Sequence, residues 1–521
     1  MKKMCIFAAL AALSVPVAAQ DNVNLDTYIG AQLATSDLNG SARYVGMGGA
    51  MDALGADIST ISTNPAGIGM FRRGQVSTSF GLVMQEGGKS FQDGSTVTPS
   101  FDQIGVVFSS RVDTHSWVNF GFNFHKDRNL NYVLSAANKA VDGSSQNRQT
   151  TIKGIRGDLD TKWGESQIDQ LYYSMIEEKD GSLSTVDATG YEFDRAHTGY
   201  IGAYDFNLSG NINNRVYLGI TVGLKSVHYY GYSEYYEMLD SPTMPSLTSV
   251  LITDDHRITG SGFDIKVGAI VRPVADSPFR FGVSVASPTF YKLTSTNTTD
   301  IGDVDRISSD AQFRFYTPWK FGLSAGHTIG SDIALGFGFE YADYSSCDMR
   351  SITGYSYDWE GYSRDESASD QVMKRMTQNT LKGVASVKIG AEYKPRPDIA
   401  LRVGYNYVSP MYKDTGVRDQ TLNSPGTYMA SSTDYTNWKA TNRLTAGVGF
   451  TFDRFRLDLA YQYQLRSGDF YPYMNGVSAE YQPVDENGND FGPVQTLTNK
   501  CKPVSVKDNR HQLLCSLTYS F

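Results

Sequence analysis

The chain has 521 residues, among them 50 glycines, 33 tyrosines, 26 phenylalanines and only four cysteines, and its formal net charge is −9. That balance gives no overall attraction to nucleic acid or anionic lipid. No internal run approaches the roughly 18 apolar residues of a membrane-spanning helix, so a bilayer could be crossed only by a closed barrel.

Lys2 and Lys3 precede a short apolar run from Cys5 to Leu13, and Val17-Ala18-Ala19 supplies small residues ahead of Gln20. This is the pattern of a cleaved secretory signal over residues 1–19, too short to span a bilayer. Cys5 lies too early to be a lipidated cysteine at the cut. Residues 20–73 precede the first strand. They are glycine-rich, yet Val45, Met47, Met51, Leu54, Ile61, Ile68, Met70 and Phe71 make them too apolar for a plain linker.

From residue 74 onward the chain alternates polar and apolar residues, the period of a strand with a different medium on each face. Fourteen such segments are expected: 74–84, 101–110, 116–126, 198–209, 214–229, 261–273, 278–296, 311–327, 331–344, 382–393, 398–408, 441–452, 454–465 and 509–521. In the last, Leu513, Cys515, Leu517, Tyr519 and Phe521 share one face, and Leu514, Ser516, Thr518 and Ser520 the other. The connections alternate long and short, as do the extracellular loops and periplasmic turns of an outer-membrane barrel. An even strand number places both barrel ends on the periplasmic side. Within the 127–197 loop, Glu165 to Glu178 carries apolar residues at roughly helical spacing and is expected to form a short helix over the mouth. Pro288 and Pro318 fall in neighbouring strands, where each removes a ladder donor and forces a bulge or kink.

The lumen-facing positions include Asp205, Lys225, Asp264, Lys266, Arg280, Lys388, Glu392, Arg402, Arg456 and Asp458. Charges of both signs suit a hydrated interior in which they pair with each other or with an inserted segment. The mature chain keeps Cys347, Cys501 and Cys515; the first two fall in loops, where a disulfide between them is open. No catalytic motif is present, neither GxSxG, HExxH nor a P-loop. The seven histidines show no metal-ligand spacing. No enzyme activity, metal or cofactor is expected.

Ser41-Ala42-Arg43-Tyr44-Val45-Gly46-Met47-Gly48-Gly49-Ala50, followed by Thr63-Asn64-Pro65-Ala66-Gly67-Ile68-Gly69, resembles the N-terminal pattern of the FadL/OMPP1/TodX family of outer-membrane transporters for long-chain fatty acids and other hydrophobic molecules. Later segments such as "GSGFDIKVGAIVRP", "YTPWKFGLSAG" and "IALRVGYNY" look like strands of its Bacteroidetes branch. The resemblance covers nearly the whole mature chain. It implies an all-β transmembrane barrel of about 14 strands over 74–521, with residues 20–73 as a hatch, or plug, inside the lumen. It implies passive, binding-gated uptake of a hydrophobic molecule such as a fatty acid, with Met47, Met51, Ile61, Ile68, Met70 and Phe71 touching the ligand. Asn64-Pro65-Ala66-Gly67 would form a tight turn, Gly67 supplying any positive φ and a close approach to the barrel wall. In the family the ligand leaves sideways at a kink in the third strand; here that strand carries no proline. The protein would sit in the bacterial outer membrane as a monomer, in contact with lipid, lipopolysaccharide and the barrel-assembly machinery, and not with nucleic acid. Two other functions stay open. One is a secretion-partner barrel similar to PorV. The other is a cell-surface haem receptor using loop tyrosines such as Tyr229, Tyr230, Tyr232, Tyr235 and Tyr236 as axial ligands.

Overall fold

The computed structural model describes residues 25–156, 176–177, 183–240, 248–274, 277–301, 307–357, 363–422, 424, 426, 432–483, 490 and 492–521. The signal over 1–19, the first hatch residues 20–24 and Glu165–Met175 of the expected loop helix lie outside these. At the end of that loop stretch, Ile176–Glu177 is a two-residue strand against Leu183–Ser184, not helix.

Fourteen strands form a closed antiparallel barrel. They are β1 (Gln75–Gln85), β2 (Val97–Asp113), β3 (Ser116–Asn129), β4 (Asp187–Ile212), β5 (Val216–Asp240), β6 (Ser249–Val271) and β7 (Arg280–Ala286). Then follow β8 (Lys320–Ile329), β9 (Ile333–Asp343), β10 (Gly383–Arg396), β11 (Ile399–Val408), β12 (Tyr435–Phe452), β13 (Phe455–Tyr471) and β14 (Arg510–Ser520). β14 returns to β1, from Gln75 opposite Ser520 to Gln85 opposite Arg510, and closes the wall. All fourteen segments expected from the alternation lie in it.

The alternation has the polarity of a membrane barrel. Phe80, Phe120, Leu208, Ile220, Phe321 and Leu401 point outward and are exposed, while Ser79, Asn119, Asn207, Thr221 and Arg402 point inward and are buried. In β14, Leu513, Leu517 and Phe521 face out, and Leu514, Ser516 and Thr518 face in. The terminal Phe521 donates its N–H to the Gly74 carbonyl at 2.9 Å, and its ring meets the edge of Phe108 at 6.1 Å. Cys347, Cys501 and Cys515 are all free thiols, and Cys347 and Cys501 belong to different apolar clusters, so the open disulfide is not formed.

Two departures from the expected strands have physical causes. β4, β5 and β6 run for 26, 25 and 23 residues, well into the expected loops 127–197 and 230–260. Beyond Tyr229 both faces of β5 carry tyrosines and polar residues, so the sequence loses its apolar contrast although the ladder continues. The expected strands 278–296 and 311–327 are each broken at their proline. β7 stops at Ala286 and resumes as Phe290–Ile301, and Ile307–Tyr316 stops before β8 begins at Lys320. The breaks lie side by side. There Thr289 N donates to Thr317 Oγ1 at 2.8 Å, and a hydroxyl takes the place of a ladder carbonyl.

Residues 25–73 lie inside the barrel. Helix α1 (Thr27–Ala34) is followed by α2 (Ala42–Gly46) and two 3-10 turns, Ile58–Ser62 and Pro65–Met70. Gly326, Gly336, Gly390 and Gly404 are directly paired neighbours across β8, β9, β10 and β11. The plug backbone lies against this row. A Cβ at Gly336 would land on the Ala50 carbonyl, one at Gly390 on the Met47 carbonyl and one at Gly404 on the Gly48 nitrogen. Gly48 and Gly49, at φ +62° and +77°, turn the chain along it. Elsewhere the wall donates to plug carbonyls: Asn119 to Ile68 at 2.7 Å, Thr221 to Ile61 at 3.0 Å and Thr445 to Gly46 at 3.1 Å.

Several of the inward charges are paired, with each other or with the plug. Arg402 reaches Glu392 at 2.6 Å and Asp458 at 2.7 Å, and plug Arg43 joins Glu392 at 3.2 Å. Lys388 meets plug Asp52 at 3.3 Å. Lys266 holds Asp264 at 2.7 Å and Asp205 at 3.1 Å, beside Lys225–Asp127 at 2.7 Å.

Gly390→Val should unseat the plug, at a cost of about 1–3 kcal/mol from overpacking, without opening the strand ladders. The expected product is a heat-modifiable barrel with raised ion conductance in planar bilayers; a variant as electrically silent as the parent would show that the glycine row does not seat the plug. Arg402→Met should destabilise the folded protein by about 3 kcal/mol, because Glu392 and Asp458 lose the buried guanidinium they share and keep only Arg43 and Arg456. Denaturant unfolding in detergent micelles reads this, and a loss below about 1 kcal/mol would mean that the pair is solvated.

Candidate ligand-binding site

The top of the plug is tied to the extracellular inserts. Asp26 caps α1, accepting from Tyr28 N and Ile29 N at 3.0 Å each, and also pairs with Arg418. Thr27 bonds Thr377 at 2.8 Å on helix α4 (Gln371–Thr380), which follows the equally long α3 insert (Gln146–Ile155) in the chain. Tyr28 stacks on Tyr412 at 5.2 Å and donates to Asn437 at 2.9 Å.

Below α1 lies a cavity of about 230 Å³. Its lining includes the apolar and aromatic side chains of Ile29, Leu130, Tyr132, Val384, Met411 and Trp438. It also gathers Arg128, Arg443, Arg466 and Arg510. Arg466 and Arg510 share Asp508, whose carboxyl burial alone would raise but which the two guanidinium groups hold down at about 2. Arg466 also lies over Trp438 at 4.3 Å. Arg443 donates to Gln464 and Asn406, each at 2.9 Å, and stands 3.7 Å from Asp37. Arg128 makes no hydrogen bond or ion pair among the described residues and faces the cavity.

A second, polar cavity of about 140 Å³ lies beneath, lined by His125, Asp127, Lys225, Asp264, Lys266 and Lys388 among others. Plug residues Ser36 and Asp37 line both cavities and form part of the partition between them.

The wall is splayed beside that partition. β2 and β3 stop pairing above Gln103–His125. β2 stays with β1 up to Val97, whereas β3 follows β4 through a bulge between Lys126 and Arg128. The plug fills the wedge. Asn39 Nδ2 donates to the Lys126 carbonyl at 3.1 Å and to Asp102 Oδ1 at 3.0 Å, bridging both strands. Asp37 N donates to the Asp127 carbonyl at 2.8 Å, and Asn129 N to Asp37 Oδ2 at 2.9 Å. The third strand is therefore kinked by a bulge, without proline.

The six expected ligand residues are packed elsewhere. Met47 and Met51 sit with Leu38, Tyr44 and Leu54; Ile61, Ile68 and Phe71 with Ile58 and Val107; Met70 with Ala66, Tyr217 and Ile270. None of them lines either cavity, because each is consumed in packing within the plug or between plug and wall. In the Asn64–Gly67 turn, Gly67 N donates to the Asn64 carbonyl at 2.9 Å, and Asn64 Oδ1 accepts from Ala66 N at 3.2 Å. Gly67 has no positive φ. Its lack of a Cβ clears Thr60 within the plug, 2.5 Å away, and not the wall. The wall contact is made by Pro65, whose carbonyl lies over Gly219, and by Asn64, lodged between Gly268 and Gly282. The five loop tyrosines do not converge: Tyr229 and Tyr235 point inward and are buried, while Tyr230, Tyr232 and Tyr236 lie on the opposite face of β5. Sequence reasoning missed Arg128, Asp37 and Tyr28. The one local sign was a run of polar residues, Lys126 to Asn129, directly after the cleanly alternating Val118–Phe124.

No family model matches the sequence, and no curated protein matches it. Solved structures do. A FadL homologue from Pseudomonas aeruginosa aligns over 94% of this chain and 100% of its own, at 14% identity and a TM-score of 0.50. The P. putida toluene transporter TodX aligns over 93% and 99%, at 14% identity and a TM-score of 0.45. The CymD monoaromatic hydrocarbon channel aligns over 94% and 99%, at 10% identity and a TM-score of 0.47. With its closed fourteen-stranded wall, its apolar outer belt and its inserted N-terminal plug, this chain is an outer-membrane β-barrel of the FadL fold.

Proposed function

We propose that the chain is a binding-gated outer-membrane channel for hydrophobic molecules with an anionic head, long-chain fatty acids being the type. The observation that carries this reading is one cavity whose lining combines apolar and aromatic side chains with a group of arginines, among them Arg128, whose side chain makes no hydrogen bond or ion pair among the described residues. An acyl chain gains from burial against Ile29, Leu130, Val384 and Met411, at about 0.8 kcal/mol per methylene. A carboxylate supplies the charge-assisted hydrogen bonds that Arg128 lacks. Straight descent is unfavourable, because the plug is seated on the wall and the lower cavity is lined by Lys225, Lys266 and their aspartates. The β2–β3 wedge beside the partition is the favoured way out, sideways into the bilayer. In this reading the protein works as a monomer among outer-membrane lipid and lipopolysaccharide, after folding by the barrel-assembly machinery. Neither haem nor a secreted protein is needed to account for the cavity.

Arg128→Gln should weaken binding of a long-chain fatty acid to the detergent-solubilised protein about tenfold or more, the loss of one hydrogen bond to a charged group. The alcohol of equal chain length should bind both proteins alike. An unchanged acid affinity would remove Arg128 from the site. Mass spectrometry of lipids that co-purify with the parent protein identifies the natural occupant, and finding only neutral hydrocarbons there would sink the anionic-head assignment.

A further inference from the structure

Asp37 stands where the cavity, the partition and the wall wedge meet. Ser36–Gly40 joins α1 to α2 and is anchored to the wall on either side of the wedge. Asp37 N and Oδ2 hold β3 at Asp127 and Asn129, and Asn39 holds β3 at Lys126 and β2 at Asp102. The Asp37 carboxylate reaches toward the arginine group, yet its pair with Arg443 is long, at 3.7 Å, and its side chain is 30% exposed. Pairs deeper in the wall close to 2.7 Å, as Lys225–Asp127 does. Arg443 is satisfied without Asp37 through Gln464 and Asn406. Arg128, between the two β3 residues that grip Asp37, makes no side-chain hydrogen bond or ion pair among the described residues. A carboxylate of the plug thus occupies, loosely, the place where a ligand carboxylate would bind.

Resting on the cavity function proposed above, we infer that Asp37 is a specificity-determining residue. In the empty channel it substitutes for the ligand's head group. An anionic head on Arg128 and Arg443 repels and displaces it. The displacement breaks the bonds to Asp127 and Asn129 and draws Asn39, two residues on, out of the wedge. A neutral molecule of equal length fills the apolar side of the cavity without charge competition, and leaves the wedge stitched. Binding and opening are therefore separate events, and the head-group charge couples them. A bound state whose competent form must first be released has an apparent affinity lowered by the population of the closed form. Removing the internal carboxylate should raise affinity for the acid.

Hydrogen exchange with mass spectrometry on the full chain in detergent reads the wedge directly, at the amides of Asp37 and Asn129. A long-chain fatty acid should speed exchange there at least about tenfold, and the alcohol of equal length should not. Asp37→Asn should exchange fast without ligand and bind the acid about threefold tighter or better. Binding of each probe is measured separately by displacement of a fluorescent acyl analogue. If the acid does not bind the parent protein, the cavity function itself falls. If the acid binds but leaves these amides protected, or if the alcohol opens them equally, the role of Asp37 alone is overturned. The comparison of acid with alcohol in the parent protein decides the matter even if the variant fails to assemble.

Discussion

Between Met47 and Leu54 the plug backbone crosses four neighbouring glycines of the wall, Gly326, Gly336, Gly390 and Gly404. Backbone against backbone, with no side chain between, is as close as two chain segments can approach. Any Cβ in that row would lie on a plug atom. The contact explains why the lumen at this level holds no room for a ligand: its volume is spent on the plug.

The charges extend that constraint. Arg402, Glu392 and Asp458 are almost wholly buried, and plug Arg43 completes their network. A buried ion pair of this kind adds little net stability over apolar packing, but removing one partner is costly. The network therefore fixes where charged plug groups find partners more than it adds net stability. It accepts the plug in one position, with Arg43 at Glu392 and Asp52 at Lys388. The plug occupies the barrel axis at this level, and cavities remain where it does not meet the wall.

Those spaces come together where regular pairing fails. The β2–β3 splay and the aligned proline breaks in the seventh and eighth strands both interrupt the ladder, and both border the lower cavity, through Asp127 on one side and Ser287, Thr289 and Thr317 on the other. In each, groups freed from the ladder are satisfied by something other than a neighbouring strand: plug residues Asp37 and Asn39 in the first, the Thr317 hydroxyl in the second. The difference bears on function. The Thr317 hydroxyl belongs to the wall itself, whereas Asp37 and Asn39 belong to a segment outside it.

The wall was legible in the sequence because its cause is local. Each strand residue faces lipid or lumen according to its parity, so Val118, Phe120 and Phe122 against Asn119, Gly121 and Asn123 report their own environment. Fourteen segments, the short turns and the final Phe521 followed from that period of two. Pro288 and Pro318 likewise marked their breaks, since the missing N–H is a property of the residue itself. The cavity was not legible, because its cause is not local. It is assembled from Tyr28 and Asp37 of the plug, Arg128 after the third strand, Trp438 and Arg443 in the twelfth, and Arg466 and Arg510 beyond, residues that no periodicity links. Met47, Met51 and Phe71 looked like ligand contacts because they are apolar within a plug, yet apolarity serves packing as well as binding. Which of the two a side chain serves depends on whether the wall or an empty space stands opposite, and only the tertiary structure decides that.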